Sequence, residues 1–349
     1  GWDRQNLVWY DFANIRGENF AIKGKAKNTD IQAFILMVFR WFQAKAVTRQ
    51  DLELPAEAKK LFAFGISGGE YERTFDFALK LLDSCAEWFP ETEAENVINL
   101  SVGKRTDVGA LRTLNEDSIL TLSFNQVNQS KGVPSGLFAV ADGMGGHAGG
   151  EIASGVVVDL LSGITTQTIF RLIKGEIEPS EWLAESIKLI NRKVVEYRAK
   201  GGNDMGSTVV AAFLLGNTIY LANVGDSRAY LIKEQQIKQL TRDHSVVAKF
   251  VELGKITEEE THTHPMRHVI YRSIGDEKEV KVESYEYSFA PGDRLLLCSD
   301  GLNGMISDQE ILDICMRYSS PQKASHELTE AAIEAGGEDN ISVIIIDLE

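Results

Sequence analysis

Four separated stretches of the chain carry acidic residues at strand ends or beside tight turns: Glu116 and Asp117 in VGALRTLNEDS, Asp142 in AVADGMGGHAGGE, Asp300 in LLLCSDGLNG and Asp339 in GGEDNISVIII. Carboxylates gathered at one point repel one another and take up protons unless a cation neutralises them. A hard divalent ion, Mn²⁺ or Mg²⁺, is therefore the expected occupant. Taken singly, Asp142-Gly143 and Asp300-Gly301 are ordinary turn pairs in which glycine supplies positive φ. Their recurrence after apolar runs, together with Glu116-Asp117 and Asp339-Asn340, favours one shared centre over four unrelated turns. Gly143, Gly145 and Ala148 also satisfy a GxGxxA dinucleotide-binding spacing with Asp159 downstream, a reading that leaves Asp300 and Asp339 unexplained.

Residues so far apart meet only if rigid elements aim them. GLFAVAD, TVVAAFLL, TIYLANVG, SRAYLIK, DRLLLCS and SVIIIDL are short, β-branched-rich apolar runs bounded by Gly, Asp or Asn, and each reads as a strand. Gly216-Asn217 and Gly225-Asp226 separate successive strands by links of hairpin type, which predicts antiparallel meanders. Helical periodicity predicts helices over Glu151 to Leu161, Glu181 to Arg198, Ser245 to Leu253, Asp308 to Met316 and Pro321 to Glu334. Sheets with helices packed outside them follow, an α+β architecture.

The chain has 349 residues, 44% of them hydrophobic and 25% charged, with a formal charge of −15, which allows two globular domains. Residues 1–98 hold 12 basic and 15 acidic residues, leaving 24 and 36 for the remainder, so the acidity is concentrated in the later part. Such a surplus argues against nucleic acid as a partner, because phosphate-backbone binding needs Lys and Arg. Cys85, Cys298 and Cys315 offer neither a disulfide framework nor a CxxC pair, and this predicts a reducing, cytoplasmic setting. The apolar run around Ile31 to Phe39 is about half of what spans a bilayer, and no membrane partner is expected. The polar stretch PETEAEN, with Pro90, predicts a boundary between a mostly helical part, residues 1–98, and a mixed domain, residues 99–349. Opening at Gly1 rather than Met, the sequence is compatible with being a fragment.

The ordered strings VGALRTLNEDS, FAVADGMGGHAGGEIAS, MGSTVVAAFL, LANVGDSRAYLI, LTRDHSVV, LLLCSDGL and GGEDNISVIII make residues 101–349 resemble the metal-dependent protein phosphatases of type 2C in their compact bacterial form. The resemblance implies a four-layer αββα sandwich of two antiparallel sheets flanked by helices. It also implies hydrolysis of phosphoserine and phosphothreonine in proteins by metal-activated water at a two-metal centre, with no protein nucleophile. Asp142 corresponds to the carboxylate bridging the two ions, Gly143 to a carbonyl ligand, and Asp300 and Asp339 to the other core ligands. Glu116 and Asp117 correspond to acidic residues that bind one metal or hold its waters. Arg112 corresponds to the guanidinium that grips the substrate phosphate, a role its fork of donors suits, with a salt bridge to Glu116 as the alternative. His147 is a candidate proton donor to the leaving alkoxide or a structural histidine.

A thiol route is absent, since Glu91, Gly304 and Pro321 stand six positions after the three cysteines where an arginine would be required. Residues 240–275 resemble the family's flap, and their His262, His264 and His268 are expected to contact substrate or solvent rather than form a zinc site. One departure concerns a third, weaker ion. Gly304 replaces the usual Asp, leaving Asp226 of GDSRAY as either that ion's remaining carboxylate or a turn residue.

In the leading part, NLVWYDFANIR with Asp11-Phe12-Ala13 and the segments after it resemble the later half of a protein-kinase lobe. With no Gly-rich loop, strand lysine or HRD string, kinase activity is not supported. Residues 1–98 read as a helical, regulatory or docking module of unknown partner. The expected substrates are Ser/Thr phosphoproteins made by a cognate kinase, and the alternative function is a catalytically weak phosphatase-like sensor or scaffold.

Overall fold

The computed structural model of the chain describes residues 100–348 apart from 129–130, 146–148, 202–203 and 262. The helical module expected over 1–98 and its kinase-like segments lie outside the described residues. Two antiparallel sheets are formed. The five-stranded sheet runs β1 (Leu100–Asp107), β11 (Ile341–Leu348), β10 (Arg294–Cys298), β7 (Arg228–Lys233), β8 (Gln236–Gln239). The six-stranded sheet runs β2 (Asp117–Asn128), β3 (Lys131–Gly145), β5 (Val209–Leu215), β6 (Thr218–Val224), β9 (Glu283–Ser288), with β4 (Met205–Ser207) paired to the end of β3.

Why the central strands read as unbroken apolar runs is clear from their two faces. Along β3, Phe138 and Val140 turn toward the other sheet and pack with Leu295, Leu297, Ile344 and Ile346. Leu137, Ala139 and Ala141 turn the opposite way, onto helices α1 (Gly150–Ile173) and α2 (Pro179–Gly201), through Ala153, Val157, Leu161, Ile187 and Ile190. A period-two strand buried on both faces shows no polar alternation. The outer face of the five-stranded sheet is covered in the same manner by α6 (Asp308–Arg317) and α7 (Pro321–Glu334), which bring Ile311, Ala324 and Leu328 onto Leu296, Val343 and Ile345. The expected four layers are thus present. Three short helices complete them: α3 (Val246–Glu252), α4 (Glu258–Thr261) and α5 (Asp300–Asn303).

Two expectations need correction, and one alternative reading falls. Gly216-Asn217 is a hairpin turn, with Leu215 opposite Thr218, but Gly225-Asp226 is not. The strands it joins, β6 and β7, lie in different sheets, so this turn is a crossover between the layers. Helix α1 runs twelve residues past the predicted Leu161 end. Gly163 and the threonines read as a stop, yet the Thr165 and Thr168 hydroxyls donate back to the Leu161 and Ile164 carbonyls, and Ile169 and Leu172 are buried. This helix is long and apolar enough by composition to cross a bilayer, but Ala153, Val157, Leu161, Ile169 and Leu172 spend that apolarity on the sheet and on α2. Finally, β3 has antiparallel neighbours on both sides, so no βαβ unit supports the GxGxxA reading.

Candidate metal centre

The two sheets present their acidic residues at one end of the sandwich. Asp117 begins β2 directly opposite Asp142 near the end of β3. Asp300 is the first residue of α5, immediately after β10, Asp339 precedes β11, and Asp226 sits in the crossover between the layers. Together with Arg112, Glu116, Gly143 and His268, four of these carboxylates, those of Asp142, Asp226, Asp300 and Asp339, line one cavity of about 310 Å³. Asp142 lies within hydrogen-bonding reach of Asp300.

Backbone bonds set these positions. The Asp142 N–H donates to Thr208 Oγ1 at 3.1 Å, and its carbonyl accepts from the Thr208 N–H at 2.8 Å and from Ser207 Oγ at 3.0 Å. Gly143 has no room for a side chain, because a Cβ there would stand 2.1 Å from the Gly150 carbonyl oxygen. Its own N–H donates to the Glu116 carbonyl at 3.1 Å, tying Glu116 to the strand end.

The arrangement is electrostatically strained in the absence of a cation. Burial, and then the charges of Asp117, Asp300, Asp226 and Asp339, push the Asp142 carboxyl well above the usual range. Burial raises Asp117 to about 7 against hydrogen bonds from Ser342 and Ser299. Burial followed by Asp339 raises Asp300, and burial followed by Asp300 and Asp243 raises Asp226. Asp117 Oδ1 and Asp300 Oδ1 are buried without a hydrogen-bond partner among the described residues. The unpartnered Asp300 oxygen, sharing one polar cavity with the carboxylates of Asp142, Asp226 and Asp339, is a hard donor set that fits divalent cations of the Mn²⁺ or Mg²⁺ type.

These shifts carry a testable sign. A carboxyl whose folded pKa lies above its unfolded value holds its proton longer in the native state, so native stability falls as pH rises through that interval. For Asp117 the interval runs from 3.8 to about 7. Chelated protein is expected to melt at progressively lower temperature across that range, and Mn²⁺ to raise the melting temperature most at its upper end. A pH-independent response to Mn²⁺ in differential scanning calorimetry would contradict this.

Arg112 is placed at the cavity, but its partner is Asp339 rather than Glu116: Nη2 stands 2.7 Å from Asp339 Oδ2. Among the flap histidines, His268 lines the cavity. His264 instead packs edge-on to Phe250 at 5.6 Å between ring centres, and its Nδ1 accepts the Met266 N–H. His147 and His262 lie outside the described residues. Arg267 of the flap pairs with Glu338 at 2.7 Å, next to Asp339. Cys298 is fully buried in β10, as its apolar surroundings suggested. Gly304 caps α5, and a second, smaller cavity of about 80 Å³ lies beside it, bordered by Asp226, Asp243 and Asn303.

One residue that sequence reasoning passed over is Asn340, which is buried. Its Oδ1 accepts the Glu116 N–H at 2.8 Å, and its Nδ2 donates to the carbonyls of Val108 and Leu114 at 2.9 and 3.0 Å. One amide thus fastens the loop bearing Arg112 and Glu116 to the segment bearing Asp339. Ser299 plays a comparable part, donating to Asp117 Oδ2 at 2.8 Å. In the sequence Asn340 looks like turn chemistry, and only its proximity to Asp339 hints otherwise.

Comparisons with known proteins converge on one family. Residues 105–263 match the family profile described as protein phosphatase 2C. The serine/threonine phosphatase stp of Listeria welshimeri is 38% identical over 245 residues, covering 70% of this chain and 94% of that protein. A crystal structure of the Mycobacterium tuberculosis serine/threonine phosphatase PstP/Ppp superposes with a TM-score of 0.61 at 33% identity, over 72% of this chain and 99% of that one. The PstP catalytic domain solved in complex with 2 manganese ions gives a TM-score of 0.59 at 32% identity over 72% and 99%.

Proposed function

The chain belongs to the protein phosphatase 2C family and is a metal-dependent protein serine/threonine phosphatase, and we propose that Asp142, Asp300, Asp339 and the Gly143 carbonyl hold two Mn²⁺ or Mg²⁺ ions in its cavity. The convergence of these carboxylates in one cavity, with Asp300 Oδ1 buried and without a hydrogen-bond partner among the described residues, carries the assignment. When bound, such a pair of ions lowers the pKa of a water so that it can attack phosphorus in line, and neutralises charge on the transferring phosphoryl group.

The chain's own side chains do the rest. Asp142, on which the charges of Asp117, Asp300, Asp226 and Asp339 all act, would be shared between the two ions, while Glu116 at the cavity wall and Asp117 opposite Asp142 would bind or orient solvent. Arg112 receives the phosphate with two parallel N–H donors. Its pairing with Asp339 holds the guanidinium over the cavity before substrate arrives. His268 is placed to meet the substrate from the flap side.

Gly304 supplies no carboxylate beside Asp226, so we assign two ions and not a third. Calorimetric titration is expected to saturate at two Mn²⁺ per chain, and Gly304→Asp to add a weaker third. A Cβ at Gly304 would stand 2.7 Å from the Asp300 carbonyl, so that variant also requires a small shift of the α5 end. Three ions bound by the unaltered chain would overturn this assignment.

We further read the substrates as products of a cognate kinase, the setting as cytoplasmic, and residues 1–98 as a separate module regulating or docking the phosphatase domain from residue 99 onward. The experiment that tests the core reading is phosphate release from a phosphothreonine peptide. It should require Mn²⁺ and stop on chelation. Specific Mn²⁺ binding without any release would favour the sensor or scaffold reading.

A further inference from the structure

His244, at the start of the flap, is fully buried and lines neither cavity. Its Nδ1 accepts the Gly225 N–H at 2.9 Å, and its backbone N–H donates to the Gly225 carbonyl at 2.9 Å. Two bonds therefore fasten it to the crossover that presents Asp226. With Nδ1 accepting, the neutral ring carries its hydrogen on Nε2, which faces Glu283 Oε1 at 3.3 Å. Arg272, near the far end of the flap, donates from Nη1 to the same carboxylate oxygen at 3.3 Å, so Glu283 links the ring to Arg272. The 2.7 Å approach of Nη1 to Nε2 sets two N–H groups against each other and is not a hydrogen bond in this tautomer. The Tyr285 hydroxyl holds the other oxygen of Glu283 at 2.7 Å, and the Tyr271 N–H donates to the His244 carbonyl at 2.8 Å. Burial, and then Arg272, keep the imidazole below its usual pKa range. One uncharged side chain thus touches both ends of the flap, the edge strand β9 and the turn bearing a cavity carboxylate.

We propose that His244 is a positioning residue for the phosphatase reaction, coupling the seat of the flap to the placement of Asp226 through separate bonds from its two ring nitrogens. This rests on the phosphatase reading given above. The Nδ1 bond serves the Asp226 turn. The Nε2 side serves the flap, and hence the reception of a polypeptide rather than of the phosphate alone.

Two substitutions separate the halves. His244→Asn keeps an acceptor near the Nδ1 position but no longer reaches Glu283, whereas His244→Leu loses both at similar volume. Each is made in the full chain and followed by Mn²⁺ calorimetry, by the rate of tryptic cleavage after Lys255 or Arg267, and by KM for a phosphothreonine peptide and for an aryl phosphate. In both variants flap cleavage should quicken and the peptide KM rise by roughly tenfold, the effect typical of losing a supporting hydrogen bond, while the aryl phosphate KM stays put. Because Asp226 lines the same cavity and its charge acts on Asp142 without being a ligand of the two ions, Mn²⁺ affinity should hold in His244→Asn and fall several-fold only in His244→Leu. Equal changes in both KM values, or a lowered melting temperature with no split between the variants, would make His244 a core histidine and overturn the proposal. If His244→Leu fails to fold, His244→Asn against the unaltered chain decides it. Absence of phosphate release altogether would sink the phosphatase reading and leave the proteolysis and calorimetry to judge this one.

Discussion

Asparagine in place of Asp142 is expected to slow phosphate release from a phosphothreonine peptide by roughly 10³-fold or more, and to raise the melting temperature of the chelated protein. The loss follows from removing the carboxylate best placed to bridge two cations. Metal-ion stabilisation of the transition state is worth several kcal/mol, and ~4 kcal/mol is about three decades in rate. The gain in stability follows from the same charge. Asp142 is pushed up by burial and by four neighbouring carboxylates, so an isosteric neutral side chain relieves repulsion that only a cation otherwise relieves. Opposite signs in activity and stability mark a residue held in place for function. Were the variant both inactive and less stable when chelated, Asp142 would be an ordinary turn residue whose loss disturbs the strand end.

Alanine at Asn340 is expected to have the second largest effect, about 10- to 100-fold in kcat/KM, the range for groups that orient a metal ligand from behind. Three polar groups lose their partner: the Glu116 N–H and the carbonyls of Val108 and Leu114. Each buried group left unpaired costs about 1–3 kcal/mol, so the loop bearing Arg112 should give way before the sandwich does. KM for both peptide and aryl phosphate should rise, because the guanidinium that meets the phosphate is displaced. Asn340→Asp keeps the acceptor for Glu116 but not the two donors, and should fall between alanine and the unaltered chain. A lower melting temperature with unchanged kinetics would reduce Asn340 to a structural tie.

What the sequence disclosed, and what it withheld, divides along physical lines. Strands β5, β10 and β11 were legible because nearly every position is buried on one face or the other, and β3, β6 and β7 because their central positions are, leaving plain apolar runs. Strands β1 and β9, at sheet edges, alternate exposed and covered positions in LSVGKRTD and ESYEYS and resemble loops. The acidic side chains could be named individually, but the pairing of Asp117 with Asp142 is a matter of register between strands, which local pattern does not encode. The crossover at Gly225 shows the same limit. Its glycine adopts φ +114°, as a hairpin glycine would, and only the destination of the next strand distinguishes the two. Asn340 and His244 were missed for a related reason, since each acts by bonding segments more than fifteen residues away.

The central claim is that these separated carboxylates enclose a pair of cations, and anomalous scattering tests it without reference to turnover. A crystal grown with Mn²⁺ and measured near the manganese edge should show two strong peaks about 3.5–4 Å apart, with Asp142 touching both and Asp300, Asp339 and the Gly143 carbonyl completing the set. Peaks elsewhere on the surface, or none among these residues at saturating Mn²⁺, would contradict the account.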